Sequence, residues 1–324
     1  MDPSLIADAA RRLRVAAATG KQCAPVRHVL GSDSDIEAAY AVQQANVALA
    51  VAGGRRVSGH KIGLTNVVVQ EQLGVNQPVS GPLFADRCVT DGIDVPAGGL
   101  VQPRAEGEIA FVLGGDLDKG EHTVVDVISA TAYVLPAIEI VDSRTADWDL
   151  TVVDMVADNA CSGFYVLGSR PNPLSGTDVR DARMRMRLNG EVASTGQGSA
   201  CLGNPLHALV WLADSLCERG TPLRAGDCIM TGSLGPMVTL TPGDEILVEV
   251  DPLGSVSTRL AADGGGRRPR DSGNGSRRCA APITGRSVSR PVGAGPSQSE
   301  SRSGDSAPRP APSSGRPARR CGTR

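Results

Sequence analysis

Three features are missing from this 324-residue sequence, and each absence excludes a class of protein. No apolar run approaches the roughly 18 residues that a transmembrane helix needs, so no membrane segment is predicted. The eight Cys include no Cys-x-x-Cys pair, and residues 1–14 form a charged amphipathic pattern instead of a signal-peptide core. A cytoplasmic protein with free thiols is therefore expected.

Motifs of the common cofactor and hydrolase sites are absent as well. There is no Walker sequence, no His-Glu-x-x-His and no Gly-x-Ser-x-Gly nucleophile elbow. The glycine-rich stretch at 196–198 has Cys201 where a dinucleotide fingerprint needs its third glycine. With four His and no paired Cys, a zinc site has little support. The chemistry must come from other side chains.

The formal charge of −2 hides two regions of opposite sign. From Ala262 onward there are thirteen Arg, no Lys and four acidic residues, a net +9, which leaves 20 basic and 31 acidic residues, a net −11, before it. The acidic part is not expected to bind nucleic acid. The tail, 262–324, has no Leu, Met or aromatic residue and is predicted to be disordered. Its Arg, Gly, Pro and Ser bias also fits a frameshift extension.

Helix and strand patterns alternate unevenly before this tail. Apolar spacing predicts helices at 3–20, 34–52, 65–73 and 205–216. The second would open with a capping box at Ser34-Asp35-Ile36-Glu37. Short β-type runs predict strands at 57–64, 107–113, 132–141, 163–167, 183–188 and 246–250. The pattern indicates an α+β protein with a mixed or antiparallel sheet instead of regular βαβ alternation.

Three acidic residues stand out in two of the predicted strands. Strand alternation places Glu106 and Glu108 on one face, where they form either a solvated surface or a pair of ligands. Glu139 lies within an otherwise apolar run, 134–141, where an unpaired carboxylate would be costly. Its partner is either Arg104 or Arg144, or a hard divalent cation held by all three acids.

Seven short segments carry a resemblance to a known family. They are Gly59-His60-Lys61-Ile62-Gly63-Leu64-Thr65, Leu73-Gly74-Val75, Gln102-Pro103-Arg104-Ala105-Glu106-Gly107-Glu108, Pro136-Ala137-Ile138-Glu139-Ile140-Val141-Asp142-Ser143-Arg144, Ala157-Asp158-Asn159-Ala160, Leu202-Gly203-Asn204-Pro205 and Gly254-Ser255-Val256-Ser257. In order and spacing, the chain resembles the 2-keto-4-pentenoate hydratase and 2-oxo-3-hexenedioate decarboxylase group of the fumarylacetoacetate hydrolase superfamily. The resemblance covers roughly residues 1–260.

The resemblance implies a ligand set, a fold and an assembly. Glu106, Glu108 and Glu139 match the positions that bind the metal in this family, with Mg²⁺ or Mn²⁺ as the expected ion. The implied fold is a smaller helix-rich N-terminal part, 1–75, packed against a mixed β-roll catalytic domain, 76–261. A homo-oligomer is implied, and a complex with other enzymes of the same pathway is an open hypothesis.

Lys61 is the candidate for proton transfer. It is one of only three Lys in a chain that otherwise uses Arg. A desolvated Lys can release its proton, whereas Arg cannot readily do so. The alternative for Lys61 is a surface cation at a strand end, and the neighbouring His60 is expected to pack or to hydrogen-bond locally.

Three polar residues are candidates for binding a substrate carboxylate: Asn159, Ser162 and Ser233. The alternative is turn chemistry, since these residue types favour turns for backbone reasons. One position departs from the family pattern, because hydratases often have Pro-Asp-x-Gly where this chain has Val79 after Pro78. A catalytic or orienting acid is therefore absent, and Asp86 is the candidate to compensate.

The expected substrate is a small 2-oxo or 2-hydroxydienoate acid. The implied reaction adds water to 2-hydroxypenta-2,4-dienoate (2-oxopent-4-enoate) to give a 4-hydroxy-2-oxo acid, in meta-cleavage catabolism of aromatic compounds. The metal would act as a Lewis acid on the C2 oxygen while Lys61 moves the proton. The alternatives are decarboxylation of 2-oxo-3-hexenedioate (4-oxalocrotonate), carbon-carbon hydrolysis of an acylpyruvate, and a non-catalytic scaffold or anion-binding protein acting through the basic tail.

Overall fold

The computed structural model describes residues 2–72 and 74–262. The α-helices are α1 (Pro3–Thr19), α2 (Arg27–Leu30), α3 (Ile36–Ala52), α4 (Val67–Gln72), α5 (Val124–Ala130), α6 (Val152–Ala157) and α7 (Pro205–Glu218). The β-strands are β1 (Val57–Gly63), β2 (Val79–Phe84), β3 (Cys88–Thr90), β4 (Pro103–Leu113), β5 (Thr131–Asp142), β6 (Ser162–Leu167), β7 (Arg183–Leu188), β8 (Glu191–Gln197), β9 (Cys228–Met230), β10 (Val238–Thr239), β11 (Glu245–Asp251) and β12 (Gly254–Arg259). The predicted disordered tail, 262–324, lies outside the described residues except for Ala262.

The predicted helices are confirmed, with one correction at a helix start. Helix α1 ends at Gly20, whose φ of 65° is the left-handed conformation that glycine adopts without strain. Helix α3 begins one residue later than the predicted capping box requires. Asp35 is the N-cap and its carboxylate accepts a hydrogen bond from Ala38 N at 2.9 Å. The predicted box is wrong because Ala38, at the third helical position, has no side-chain acceptor.

The six predicted strands correspond to β1, β4, β5, β6, β7 and β11. The other six strands, β2, β3, β8, β9, β10 and β12, were not predicted. β9 is only three residues long, and β8 is made of small and polar residues without clear alternation. The α+β class is confirmed. The boundary between 1–75 and 76–261 stays a prediction, and β1 carries Lys61 from the first of these parts into the main sheet.

Two sheets organise the described part of the chain. The larger sheet has the strand order β2-β1-β9-β4-β5-β6-β3, with β10 paired to β4. The smaller, antiparallel sheet has the order β12-β11-β7-β8. Pairing is antiparallel throughout the larger sheet except between β1 and β9 and between β3 and β6. The long β4 and β5 pair therefore lies in the middle of the larger sheet.

Separate apolar clusters cover the two faces of the larger sheet. On one face, Phe111 and Ile138 belong to a core that includes Met186 and Val248 of the smaller sheet and Leu212 of α7. The opposite face carries a smaller cluster that includes residues of β4, β5, β6 and β9. Helices α1, α3 and α6 form a third core around the N-terminal part. No helix within residues 2–72 and 74–262 is long and apolar enough to cross a bilayer.

Candidate metal and active site

Three carboxylates meet at the pairing of β4 and β5. Glu106 lies opposite Glu139 in the antiparallel register, and Glu108 is two residues further along β4 on the same face. One carboxylate oxygen from each side chain lies within 4.8 Å of the others. Glu108 and Glu139 are fully buried, and Glu106 is half-buried. The predicted one-face arrangement of Glu106 and Glu108 is confirmed, and Glu139 joins them across the strands.

This cluster is electrostatically unfavourable without a cation, because like charges opposite each other in a sheet repel. Burial, together with the charge of Glu139, raises the pKa of Glu106 to about 7 although Lys61 opposes the shift. Burial and the neighbouring acids also raise the pKa of Glu108 well above its ordinary range. Burial likewise raises the pKa of Glu139. The fold holds these acids together against their own repulsion.

Several of these oxygens have no hydrogen-bond partner. Gly232 N donates to one oxygen of Glu108 at 2.9 Å. Within residues 2–72 and 74–262, nothing donates a hydrogen bond to the other oxygen of Glu108 or to either oxygen of Glu139. Buried polar atoms are normally paired, so orphaned carboxylate oxygens need an explanation. A hard divalent cation bound by oxygen ligands fits this donor set.

Lys61 is a cation in direct contact with the cluster. Its Nζ lies 3.3 Å from Glu139 Oε2 and donates a hydrogen bond to Ala160 O at 3.0 Å. Burial by itself would lower the pKa of Lys61, but Glu139, Glu106 and Glu108 raise it above its ordinary value. With three ionised acids and one ammonium, the formal charge is −2, which one divalent cation would cancel.

The two arginine partners considered for Glu139 are both engaged elsewhere, so that alternative is wrong. The Arg104 guanidinium stacks over the Trp148 ring at 4.2 Å from its centroid. Arg144 Nε bonds Asp158 Oδ1 at 2.6 Å. Lys61 takes the place beside Glu139 because β1 joins the same sheet through β9. His60 does not line the cavity beside the cluster, and burial lowers its pKa to about 4, so it is neutral at pH 7.

A cavity of about 570 Å³ opens beside Lys61 and Glu106. Its polar lining includes Ser233, whose hydroxyl donates to Gly235 O at 2.6 Å. Its apolar lining comes from several segments and includes Leu64, Val69, Trp148, Met155, Pro236 and Met237. Among the described residues that line it, Lys61 is the only cation. The cavity can therefore take a small acid whose remaining body is apolar.

The structure does not bring Asn159 and Ser162 into this cavity with Ser233. The two residues between them, Ala160 and Cys161, line it instead, whereas Asn159 and Ser162 line a different cavity. The reason is a tight turn in which Asn159, Ala160 and Cys161 all have positive φ. Asn159 also donates a hydrogen bond to Pro82 O at 3.1 Å. The expectation that all three polar side chains face one ligand is corrected accordingly.

Asp86 does not replace the missing acid at position 79. Val79 is buried in β2, opposite Gly63 of β1. Asp86 lies beyond the end of β2, exposed, where it pairs with Arg55 at 2.9 Å. It is not among the residues that line the cavity beside Glu106. The expectation that Asp86 compensates for Val79 is therefore wrong.

Two backbone groups of the site were missed by sequence reasoning: the Gly232 N–H and the Ala160 carbonyl. Gly232 has a φ of 104°, and a side chain there would collide with Thr65, so only glycine brings this N–H to Glu108. Backbone donors and acceptors carry no residue-type signal. Gly232 itself, one of two glycines within 231–235, was the available hint.

Comparisons with known proteins agree with this geometry. A sequence model described as fumarylacetoacetate (FAA) hydrolase C-terminal matches residues 69–261. The chain is 51% identical over 253 residues to 2-keto-4-pentenoate hydratase 1 of Dechloromonas aromatica, covering 78% of this chain and 96% of that protein. It is also 51% identical over 256 residues to 2-keto-4-pentenoate hydratase of Burkholderia vietnamiensis, covering 79% and 97%.

A solved structure with the same fold adds a metal and a ligand. It is 4-oxalocrotonate decarboxylase from Pseudomonas putida G7, complexed with magnesium and adipate. The match has a TM-score of 0.77 and 34% identity, and it covers 80% of this chain and 98% of that one. The comparisons thus include both reactions that the sequence resemblance suggested.

Proposed function

Because this chain belongs to the fumarylacetoacetate hydrolase family, as its resemblance predicted, we propose that it is a metal-dependent hydratase of a small 2-hydroxy-2,4-dienoate. Named relatives at about half identity are hydratases, and the similar solved structure is a decarboxylase. Both are lyases, and so is this enzyme. The observation that carries the proposal is the buried cluster of three acids and one lysine beside an otherwise uncharged cavity.

Glu106, Glu108 and Glu139 would hold the ion, with Mg²⁺ or Mn²⁺ as the proposed metal. The orphaned oxygens of Glu108 and Glu139 and the formal charge of the cluster support a divalent ion. When bound, the ion supplies Lewis acidity toward the carboxylate and C2 oxygen of the substrate. Its binding would also remove the repulsion among the acids.

Lys61 is proposed to carry the proton that the reaction moves. Two contacts, with Ala160 O and Glu139, fix its ammonium group at the cavity wall. An ammonium has three N–H donors, and Ala160 O accepts from one of them, so donors remain to face the substrate. A positioned cation stabilises the negative charge that develops on the substrate with little reorganisation. Ser233, at the same cavity, is proposed to bind the substrate carboxylate by rotating its hydroxyl away from Gly235 O.

The lining of the cavity favours hydration over decarboxylation. A dicarboxylate such as 2-oxo-3-hexenedioate would bury a second negative charge, which is costly without a paired cation. Lys61 is the only cation among the described lining residues, and Arg104 is stacked on Trp148. The apolar wall formed by Val69, Met155 and Met237 suits the uncharged end of a pentadienoate. Decarboxylation remains the second candidate because it would use the same metal and lysine.

Product analysis tests the proposed function directly. We expect Mg²⁺-supplemented protein to convert 2-hydroxypenta-2,4-dienoate into a 4-hydroxy-2-oxo acid, identified by NMR. We expect far slower release of CO₂ from 2-oxo-3-hexenedioate, since the cavity offers that substrate's second carboxylate no cation. Faster turnover of the dicarboxylate would reverse the order of the two candidates, and turnover of neither would overturn both.

The basic tail is proposed to be dispensable for this chemistry. A variant that ends at Ala261 keeps every residue of the carboxylate cluster and of its cavity. We therefore expect its kcat/KM for the dienoate to equal that of the full chain, measured under identical conditions. Loss of activity on truncation would instead favour the hypothesis in which the tail carries the function.

The assembly and the cellular setting stay proposals. We propose a cytoplasmic homo-oligomer that acts in the catabolism of aromatic compounds, and a complex with enzymes of the same pathway remains a hypothesis. Exposed apolar side chains on α5, Val125 and Ile128, are compatible with an interface. Light scattering coupled to size-exclusion chromatography would measure the oligomeric state.

A further inference from the structure

A second cavity, of about 420 Å³, lies on the other side of the turn at 159–161. Its lining includes residues of helices α1 and α3, the residues after β2, and the segment 157–163, and it does not include Lys61 or the three acids. Four arginines line it: Arg14, Arg55, Arg87 and Arg144. Asp142 and Asp158 are its only acidic residues within the described part of the chain.

Both aspartates already have their partners. Asp142 Oδ1 accepts hydrogen bonds from Val101 N and Gln102 N at 2.8 and 2.6 Å. Asp158 accepts from the backbone N–H of Arg144 at 2.8 Å and from its Nε at 2.6 Å. Both carboxylates in this cavity are therefore already hydrogen-bonded by groups of the protein.

The positive charge is compensated only in part, since Arg144 pairs with Asp158. Arg55 pairs with Asp86. Within residues 2–72 and 74–262, the Arg87 guanidinium contacts no carboxylate and donates no hydrogen bond. It is half-buried and stacks over the Phe164 ring at 4.4 Å from the centroid. Burial and the nearby charge of Arg55 lower its pKa, although the charges of Asp86 and Asp142 oppose the shift.

Stacking makes Arg87 suitable for recognising an anion. A guanidinium whose face rests on an aromatic ring has a restricted orientation, while its N–H groups at the edge stay available. Those N–H groups match a carboxylate in a two-pronged geometry. The remaining wall includes Leu13, Ala17, Val47 and Leu100, which provide apolar contact.

We propose that this cavity is a binding site for a small carboxylate with an apolar body, held through Arg87. The site is separate from the carboxylate cluster, and the short segment 159–162 contributes residues to both cavities. Asn159 and Ser162 line the arginine-rich cavity, while Ala160 and Cys161 line the cavity beside the acids. Ala160 O accepts the hydrogen bond from Lys61. Occupancy of the second site would therefore alter the position of Lys61, a consequence that rests on the proposed function.

Calorimetry with benzoate tests the binding site, with benzamide as the uncharged probe of the same shape. We expect the Mg²⁺-loaded protein to bind benzoate and not benzamide. In Arg87→Gln the Kd for benzoate should rise about tenfold or more, since a charge-assisted pair is lost. Val47→Phe, which fills the cavity without changing its charge, should also abolish binding. Arg170→Gln, at an exposed position outside this cavity, should bind like the parent protein.

The outcomes separate this proposal from the proposed function. Benzoate binding that is unchanged in both Arg87→Gln and Val47→Phe, or no binding to the parent protein, would overturn the site. If benzoate binds through Arg87, we expect it to change kcat or KM for the dienoate in the parent enzyme and not in Arg87→Gln. Binding through Arg87 without any kinetic effect would overturn the coupling to Lys61. The calorimetric result for benzoate does not depend on whether the enzyme hydrates the dienoate, so failure of hydration would overturn the proposed function and not the binding site.

Discussion

Glu108→Gln is expected to lower kcat/KM for the dienoate about a thousandfold, because one of three proposed metal ligands loses its charge. The same variant should be more stable than the parent protein when no metal is present. Gln keeps the shape of Glu and can still accept the hydrogen bond from Gly232 N, while the burial and repulsion that raise the pKa of Glu108 no longer oppose folding. Kinetics and thermal melting in the presence and absence of Mg²⁺ measure the two effects.

The response to Mg²⁺ distinguishes a ligand from a merely structural carboxylate. At a concentration about 100 times its Kd, the ion should stabilise the parent protein by about 2.7 kcal/mol. That gain should be largely lost in Glu108→Gln and retained in Glu191→Gln, a matched change at an exposed position of β8. A Glu108→Gln protein with full metal dependence would contradict the proposed ligand set.

Lys61→Met is expected to lower kcat by about 10²- to 10⁴-fold, the range of a lost proton-transfer group. Met has a similar length and fills the same buried space without the ammonium. Lys61→Arg should also be strongly impaired, because Arg keeps the charge but does not release a proton at neutral pH, whereas a divalent ion on the three acids would offset the charges that raise the pKa of Lys61. Stopped-flow measurement of dienoate consumption at saturating substrate gives kcat for each variant.

A metal-binding readout separates these two variants. Lys61→Arg should keep the stabilisation by Mg²⁺, since the formal charge of the cluster is unchanged. In Lys61→Met, Glu139 loses its nearby cation, so we expect the folded protein to depend more strongly on Mg²⁺. Lys119→Met, which removes an exposed lysine, is the control and should behave like the parent. Activity of Lys61→Met within tenfold of the parent would remove Lys61 from the mechanism.

Much of the acidic cluster could be predicted from local patterns. The period of two in a strand puts Glu106 and Glu108 on one face whatever the rest of the fold. Glu139 stood out because an acid inside an apolar run needs a partner. The resemblance to a known family then supplied the expectation that these acids act together.

The partners of these acids were harder to predict. Arg104 and Arg144 were natural candidates for Glu139 because they are close to an acid in sequence, yet both are engaged by Trp148 and Asp158. Similarly, Asn159 and Ser162 belong to a segment that reaches the acidic cavity, but the turn directs them to the other side. Proximity in sequence does not determine which cavity a side chain faces.

The sequence alone determined the features that depend on neighbouring residues: the helix ends at Gly20 and Asn204, the alternation of β4, and the isolation of Glu139 among apolar residues. Only the tertiary structure decided which groups meet. Lys61 reaches Glu139, and Gly232 reaches Glu108, through a strand order in which β9 joins β1 to β4. Such contacts join residues far apart in the chain, so they follow from the packing of whole strands, which no local pattern of residues encodes.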